Sequence, residues 1–125
     1  MDLQKMVVGY MTCALWSSTG DNDRPLDDDY SIHDISDEAK ESMEADCKAF
    51  LEANEATLLE TEHNEGRWTQ EEQWGHDLWL TRNGHGTGFW DRGHKEEIGE
   101  ELTKKANEMG TSDIYVGDDG ELYLL

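Results

Sequence analysis

The chain has 125 residues, of which 30 are acidic and ten are basic, and its formal net charge is −20. This length and an apolar fraction of 35% fit a single domain over residues 1–125, with one core that needs neither disulfides nor a structural metal. A charge of this size repels nucleic acid and anionic membranes and attracts basic protein surfaces. Direct binding to nucleic acid or to a membrane is therefore excluded from the expected functions.

The first predicted helix covers residues 3–16, because apolar side chains recur there at intervals of three and four residues. That stripe consists of Leu3, Met6, Val7, Tyr10, Met11, Ala14 and Leu15. The segment Ser17-Ser18-Thr19-Gly20 then ends the helix. Residues 20–34 form a polar connection rich in aspartate, and a connection of this length in a compact domain is often functional or mobile.

The second predicted helix covers residues 37–60, with Asp34 or Ser36 as its N-cap. Its inward stripe contains Ala39, Met43, Cys47, Phe50, Leu51 and Leu58. The opposite face presents mainly carboxylates: Glu38, Glu41, Glu44, Lys48, Glu52 and Glu55.

After the second helix, the sequence predicts a short helical turn from Thr69 and then two strands over residues 77–92, joined by the glycine-rich turn 83–88. A helix over residues 95–109 and a last hairpin follow. In that hairpin, strands 114–116 and 122–124 flank the turn Gly117-Asp118-Asp119-Gly120. The element order is therefore α-α-β-β-α-β-β. The simplest assembly is an α+β fold, in which the helices pack on one side of a small four-stranded antiparallel sheet.

The cysteines and the termini bear on the cellular compartment. Cys13 and Cys47 lie in apolar helical registers and form no C-x-x-C pair, so we expect buried free thiols in a reducing compartment. The N-terminus lacks the pattern of a signal peptide, and no apolar run reaches the length of a membrane span. These features predict a cytoplasmic protein, either a monomer or a small homodimer.

No recognised pattern of metal, cofactor or catalytic residues is present. Asp21-Asn22-Asp23 begins like an EF-hand loop, but Leu26 and Ile32 occupy the positions that require glycine and glutamate. The spacing of the five histidines does not suit zinc. His85, with Asp77 or Asp91 to orient it, is a weak catalytic candidate, and the glycines around it favour a turn over a phosphate loop. We therefore predict no enzyme activity, no cofactor and no metal.

Four tryptophans lie within 23 residues: Trp68, Trp74, Trp79 and Trp90. Large aromatic side chains dominate burial, so each is interpreted mainly as a core residue. The alternative is that one or two are exposed beside Arg82 and Arg92, where they would form a hot spot for protein binding.

The 17-residue block His76-Asp77-Leu78-Trp79-Leu80-Thr81-Arg82-Asn83-Gly84-His85-Gly86-Thr87-Gly88-Phe89-Trp90-Asp91-Arg92 resembles a group of small bacteriophage proteins. The resemblance extends to residues 14–18 and 115–120. It implies a phage or prophage origin and carries over no activity. By its acidity and implied origin, the chain also resembles phage inhibitors that imitate DNA to disable host restriction, CRISPR or repair enzymes.

The acidic side chains are concentrated in Asp21–Glu72, where 18 acidic and four basic residues account for −14 of the net charge. Carboxylates three or four residues apart on a helix are close neighbours and can repeat negative charge as DNA phosphates do. The predicted partner is a basic surface of a host nucleic-acid-binding protein. The predicted partner-binding residues are Asp21, Asp23, Asp27, Asp28, Asp29, Glu41, Glu44, Glu52 and Glu55.

Three alternatives remain open at this point. In the first, the acidic residues form only a solvated surface that serves solubility or a high-salt habitat. In the second, the protein is a phage regulatory or assembly adaptor that binds a partner through the 76–92 hairpin. In the third, it is a small enzyme that uses His85 with neighbouring carboxylates.

Overall fold

A computed structural model describes residues 2–20, 23–61 and 68–124. These ranges form four α-helices and one two-stranded antiparallel sheet. The elements are α1 (Leu3–Ser17), α2 (Asp37–Leu59), α3 (Gln70–Arg82), α4 (Glu96–Glu108), β1 (Ile114–Val116) and β2 (Leu122–Leu124). The α+β class is confirmed, and three helices and the last hairpin lie where the sequence predicts them.

Side-chain caps fix where three of the helices begin. The Asp2 carboxylate accepts a hydrogen bond from the Lys5 amide at the start of α1. Of the two candidate caps for α2, Ser36 is the one that accepts from the helix, through the amide of Ala39. Thr69 and Glu72 form a reciprocal capping box at the start of α3. Each cap satisfies amides that the first helical turn leaves without partners.

The strand pair predicted for residues 77–92 is wrong. Residues 77–82 continue α3, residues 83–88 form the turn, and Phe89–Asp91 form a short 3₁₀ turn. Every residue from Trp74 to Arg82 is buried. A helix that is buried on all sides shows no 3.6-residue alternation of polar and apolar positions, so the alternation around Leu78 and Leu80 was misleading.

The four-stranded sheet is wrong for the same reason, and so is the packing of all helices on one side of it. The observed sheet pairs Ile114 with Leu124 and Val116 with Leu122. It joins the start of α2, where the Ser36 amide donates to the Leu122 carbonyl at 2.8 Å. Helix α1 packs against α2 and α3, and α4 packs against the same two helices.

The pair α1 and α3 forms the centre of the helical layer. The two backbones approach closely at two glycines: a Cβ at Gly9 would lie 2.2 Å from the Glu72 carbonyl oxygen, and one at Gly75 would lie 2.1 Å from the Met6 carbonyl oxygen. Further along, the Trp79 indole donates to the Ser17 hydroxyl at 3.0 Å. The two helices therefore run side by side in the same direction.

A buried arginine at the end of α3 forms hydrogen bonds with residues of the other three helices or their ends. The Arg82 guanidinium donates to Asp46 on α2 and to the Tyr10 hydroxyl on α1, both at 2.9 Å, and to the carbonyls of Met109 and Gly110 after α4. Its donors match four acceptors, which compensates for the loss of hydration.

Both cysteines are buried and neither forms a disulfide, as the sequence predicts. Burial raises the pKa of the Cys13 thiol to about 12 and also raises that of Cys47. Both therefore remain protonated at neutral pH. Within the described ranges, no helix combines the length and the apolar character needed to cross a bilayer.

Candidate functional site

A row of charged side chains runs along the solvent side of α2, and we call it the α2 stripe. Its members follow one another at steps of three or four residues, which places them on one helix face. They are Asp37, Glu41, Glu44, Lys48, Glu52 and Glu55, and all six are exposed. The opposite face buries the predicted apolar stripe in the core.

A kink interrupts α2 near its end. Asn54 has non-helical backbone angles, and its side-chain amide donates to the Phe50 carbonyl at 3.0 Å. Glu41, Glu44 and Glu52 lie on the regular part of the helix, whereas Glu55 is exposed just beyond the kink. The three glutamates before the kink therefore share one face of a continuous regular helix.

The predicted loop aspartates lie elsewhere. Asp27 and Asp28 are exposed on the short 3₁₀ turn Leu26–Asp28, which is bonded to the C-terminal end of α1 through the Leu26 amide and the Ser18 carbonyl. Glu44, in contrast, is contacted from the N-terminal end of α1 by the Gln4 amide at 3.4 Å. The structure therefore does not bring these aspartates next to Glu44.

The other predicted aspartates differ in their surroundings. Asp23 is exposed with a backbone φ of 60°. Asp29 is ion-paired with Arg24, and this pairing weakens the attraction of Asp29 for a basic partner surface. Asp21 lies outside the described residues.

The α2 stripe holds five carboxylates and one cation, Lys48, and its carboxylates take part in no ion pair among the described residues. Four ion pairs lie within the part of the chain that the structure describes: Arg24–Asp29, Arg82–Asp46, Arg92–Asp77 and Lys105–Glu108. None of them involves a stripe residue. Two of the ten basic side chains, Arg82 and Arg92, are paired with Asp46 and Asp77 and therefore do not offset the carboxylates of the stripe.

A second feature is a cleft of about 550 Å³ between α1, α3 and the loop that follows α3. We call it the tryptophan cleft. Its walls include Trp16, Asp27, Trp68, Gln73, His76 and Arg92. The His76 ring lies 4.5 Å from the Trp68 ring and 6.2 Å from the Trp16 ring, centroid to centroid.

A buried carboxylate supports two of these polar groups. Asp77 is fully buried, and its Oδ1 accepts from Arg92 Nε at 2.8 Å and from Gln73 Nε2 at 3.2 Å. Its Oδ2 has no hydrogen-bond partner among the described residues. Burial raises the pKa of Asp77 to about 6, although the Arg92 charge and the two hydrogen bonds lower it in part.

The tryptophans divide between the core and the surface. Trp74 and Trp79 are buried, as predicted, and Trp68 is half-buried in the cleft wall. Trp90 is 54% exposed, so its interpretation as a core residue is wrong. It lies on the 3₁₀ turn after the glycine-rich segment, where its neighbour Phe89 takes the buried position instead.

His85 is exposed on a turn in which Gly84, Gly86 and Gly88 all have positive φ. Asp91 accepts from the Thr87 hydroxyl at 2.7 Å and from the Gly88 amide at 3.0 Å, while Asp77 is bonded to Gln73 and Arg92. Neither carboxylate therefore orients His85. Among the described residues, no three His, Cys, Asp or Glu side chains converge into a metal-binding group.

No sequence profile of a protein family, no curated protein sequence and no solved structure matches this chain significantly.

The tryptophan cleft was not predicted from the sequence. The four-residue spacing of Gln73 and Asp77 is a signal for it, but only if residues 70–82 are recognised as a helix.

Proposed function

We propose that the protein is an acidic, phage-type inhibitor that mimics DNA in the host cytoplasm. It blocks a host defence or repair protein by occupying the basic surface to which that protein binds nucleic acid. The exposed carboxylates of the α2 stripe, which take part in none of the ion pairs described, carry this proposal.

The dimensions of the stripe support this assignment. Asp37 and Glu52 are about 22 Å apart along the axis, at a rise of about 1.5 Å per residue. DNA phosphates on one strand advance by about 3.4 Å per base pair, and the step from Glu41 to Glu44 advances by about 4.5 Å. A cationic groove that binds a short stretch of DNA backbone can therefore also bind the carboxylates of the stripe, because their spacing is similar to that of the phosphates.

The test is capture of a partner from bacterial lysate, followed by competition with duplex DNA. We expect the triple variant Glu41→Lys, Glu44→Lys, Glu52→Lys to lose the partner, and we expect DNA to displace the wild-type protein from it. Attraction of this kind is screened by salt, so capture should weaken steeply as ionic strength rises.

The matched control reverses three exposed glutamates of α4: Glu97→Lys, Glu100→Lys and Glu101→Lys. It changes the net charge by the same amount and should retain the partner. Equal loss in both variants contradicts a role for the stripe itself. Simultaneous binding of DNA and this protein to the partner contradicts mimicry.

The second candidate is a phage adaptor that binds through residues 76–92, here a helix end and a loop in place of a hairpin. The exposure of Trp90 beside half-buried Arg92 favours it. For an adaptor, Trp90→Ala abolishes capture and the stripe reversal is tolerated.

A further inference from the structure

The tryptophan cleft contains polar groups whose orientation is already fixed. Arg92 uses Nε to bind the Asp77 carboxylate, and its two terminal nitrogens have no hydrogen-bond partner among the described residues. Gln73 uses its amide nitrogen on the same oxygen, Oδ1, and its carbonyl oxygen has no partner in the same ranges. One buried carboxylate thus holds two donors and one acceptor side by side.

The cleft also offers an aromatic surface. Trp16 is 42% exposed although it contacts His76, and Trp68 contacts the same ring. An exposed indole beside hydrogen-bonding groups suits a flat ring that stacks on its face while its edge is read by polar atoms. The volume of about 550 Å³ falls within the usual range of small-molecule sites.

The charges in and around the cleft select among flat ligands. Asp27 lies on its wall, and Arg92 is already paired with Asp77. The whole protein carries −20, so a phosphate group would be repelled. The favoured ligand is therefore uncharged.

We propose that the tryptophan cleft binds an uncharged nucleobase or nucleoside, which stacks on Trp16 and presents adjacent acceptor and donor atoms to Arg92 and Gln73. This site is independent of the α2 stripe and of the inhibitor function proposed above. Asp77 is a positioning residue in it, because it acts through Gln73 and Arg92.

Isothermal titration of the full-length protein with adenosine, cytidine, uridine and inosine tests the proposal. We expect saturable one-to-one binding of at least one nucleoside, and weaker binding of its 5′-monophosphate and of a single-stranded oligonucleotide containing it. If none of the four nucleosides binds saturably at millimolar concentration, the proposal is overturned. Binding of the oligonucleotide alone overturns it as well.

Variants locate the binding site. Trp16→Ala should weaken binding by about tenfold, the loss expected when a stacked aromatic is removed. Trp90→Ala removes an exposed tryptophan that is not part of the cleft wall and should change nothing. Equal effects of the two variants, or no effect of Trp16→Ala, contradict the assignment.

Two further measurements do not depend on how well Trp16→Ala folds. Arg92→Lys keeps a positive charge beside Asp77 but removes the planar pair of donors, so binding should weaken. On the ligand side, 1,3-dimethyluracil lacks both N–H donors of uracil, at N1 and N3, and should bind more weakly than uracil. Unchanged binding in either measurement contradicts the hydrogen-bonding scheme.

Discussion

The buried carboxyl group of Asp77 makes the stability of the protein depend on pH. Unfolded, its carboxyl group loses its proton near its ordinary pKa of about 4. In the folded protein it retains the proton up to pH about 6, because burial disfavours the charged form. Between these values the folded state binds more protons than the unfolded state, so this group lowers the stability as the pH rises.

We therefore expect the free energy of unfolding of the Asp77→Asn variant to rise, relative to that of the wild type, as the pH rises from 4 to 7. A pKa shift of about two units corresponds to a change of about 3 kcal/mol in the difference between their free energies of unfolding. Urea denaturation at several pH values measures this difference. Asp28→Asn, at an exposed position, is the control, and a difference that does not vary with pH would contradict the buried environment of Asp77.

At the scale of single residues, the sequence predicts the exposed carboxylates of α2 and most of the core, but not which of two adjacent aromatic residues is buried. Cys13, Cys47 and Trp79 are buried, as their apolar surroundings suggest. Trp90 is not, because Phe89 beside it takes the inward position. Which of two adjacent aromatic residues faces inward depends on the direction of the chain after the glycine turn, and composition does not contain that information.

At the scale of elements, the amphipathic helices could be predicted from the sequence, whereas the helix that is buried on all sides could not. Helices α1, α2 and α4 each have a solvent side, so their apolar residues recur with the helical period. Helix α3 is covered on all sides from Trp74 to Arg82. Its N-terminal capping box at Thr69 and Glu72 is the clearest local sign of a helix, whereas the prediction from the sequence was only a short helical turn from Thr69. Without α3 as a helix, the cleft beside it was not predictable.

The close contact of α1 and α3 leads to a prediction about two glycines. Gly9→Ala and Gly75→Ala should each destabilise the protein by about 2 kcal/mol or more, because the added methyl group meets backbone atoms that cannot move aside. Alanine favours a helix over glycine by about 1 kcal/mol, so an open helical position would show a gain instead.

Thermal unfolding followed by circular dichroism measures these effects. Gly99→Ala on α4 is the matched control, since its Cβ would lie 3.2 Å from the Phe89 carbonyl oxygen and needs only a small adjustment. We expect it to cost less than either of the other two. Wild-type stability in Gly9→Ala or Gly75→Ala would contradict the close contact.

At the scale of the whole molecule, the net charge of −20 destabilises the folded state through electrostatic repulsion. Compact folding brings the carboxylates closer together, and among the described residues only four ion pairs offset them. The mutual repulsion falls as salt shortens the Debye length from about 30 Å at 0.01 M to about 10 Å at 0.1 M.

We therefore expect the midpoint of thermal unfolding to rise when sodium chloride is increased from 0.01 M to 0.3 M at pH 7. Differential scanning calorimetry measures the midpoint. The α4 charge-reversal variant, which carries less negative charge, should show a smaller rise. A midpoint that falls with salt would mean that attractive pairs outweigh the repulsion.

The side-by-side arrangement of α1 and α3 has a consequence for how the protein is made. Helix α1 finds its main packing partner about 60 residues later in the chain, and the intervening helix α2 does not replace that partner. Synthesis at roughly 5–20 residues per second leaves the apolar face of α1 uncovered for several seconds. During that interval the nascent chain presents Met6, Tyr10 and Leu15 to chaperones, and only after Arg82 has emerged can the native helix pair form.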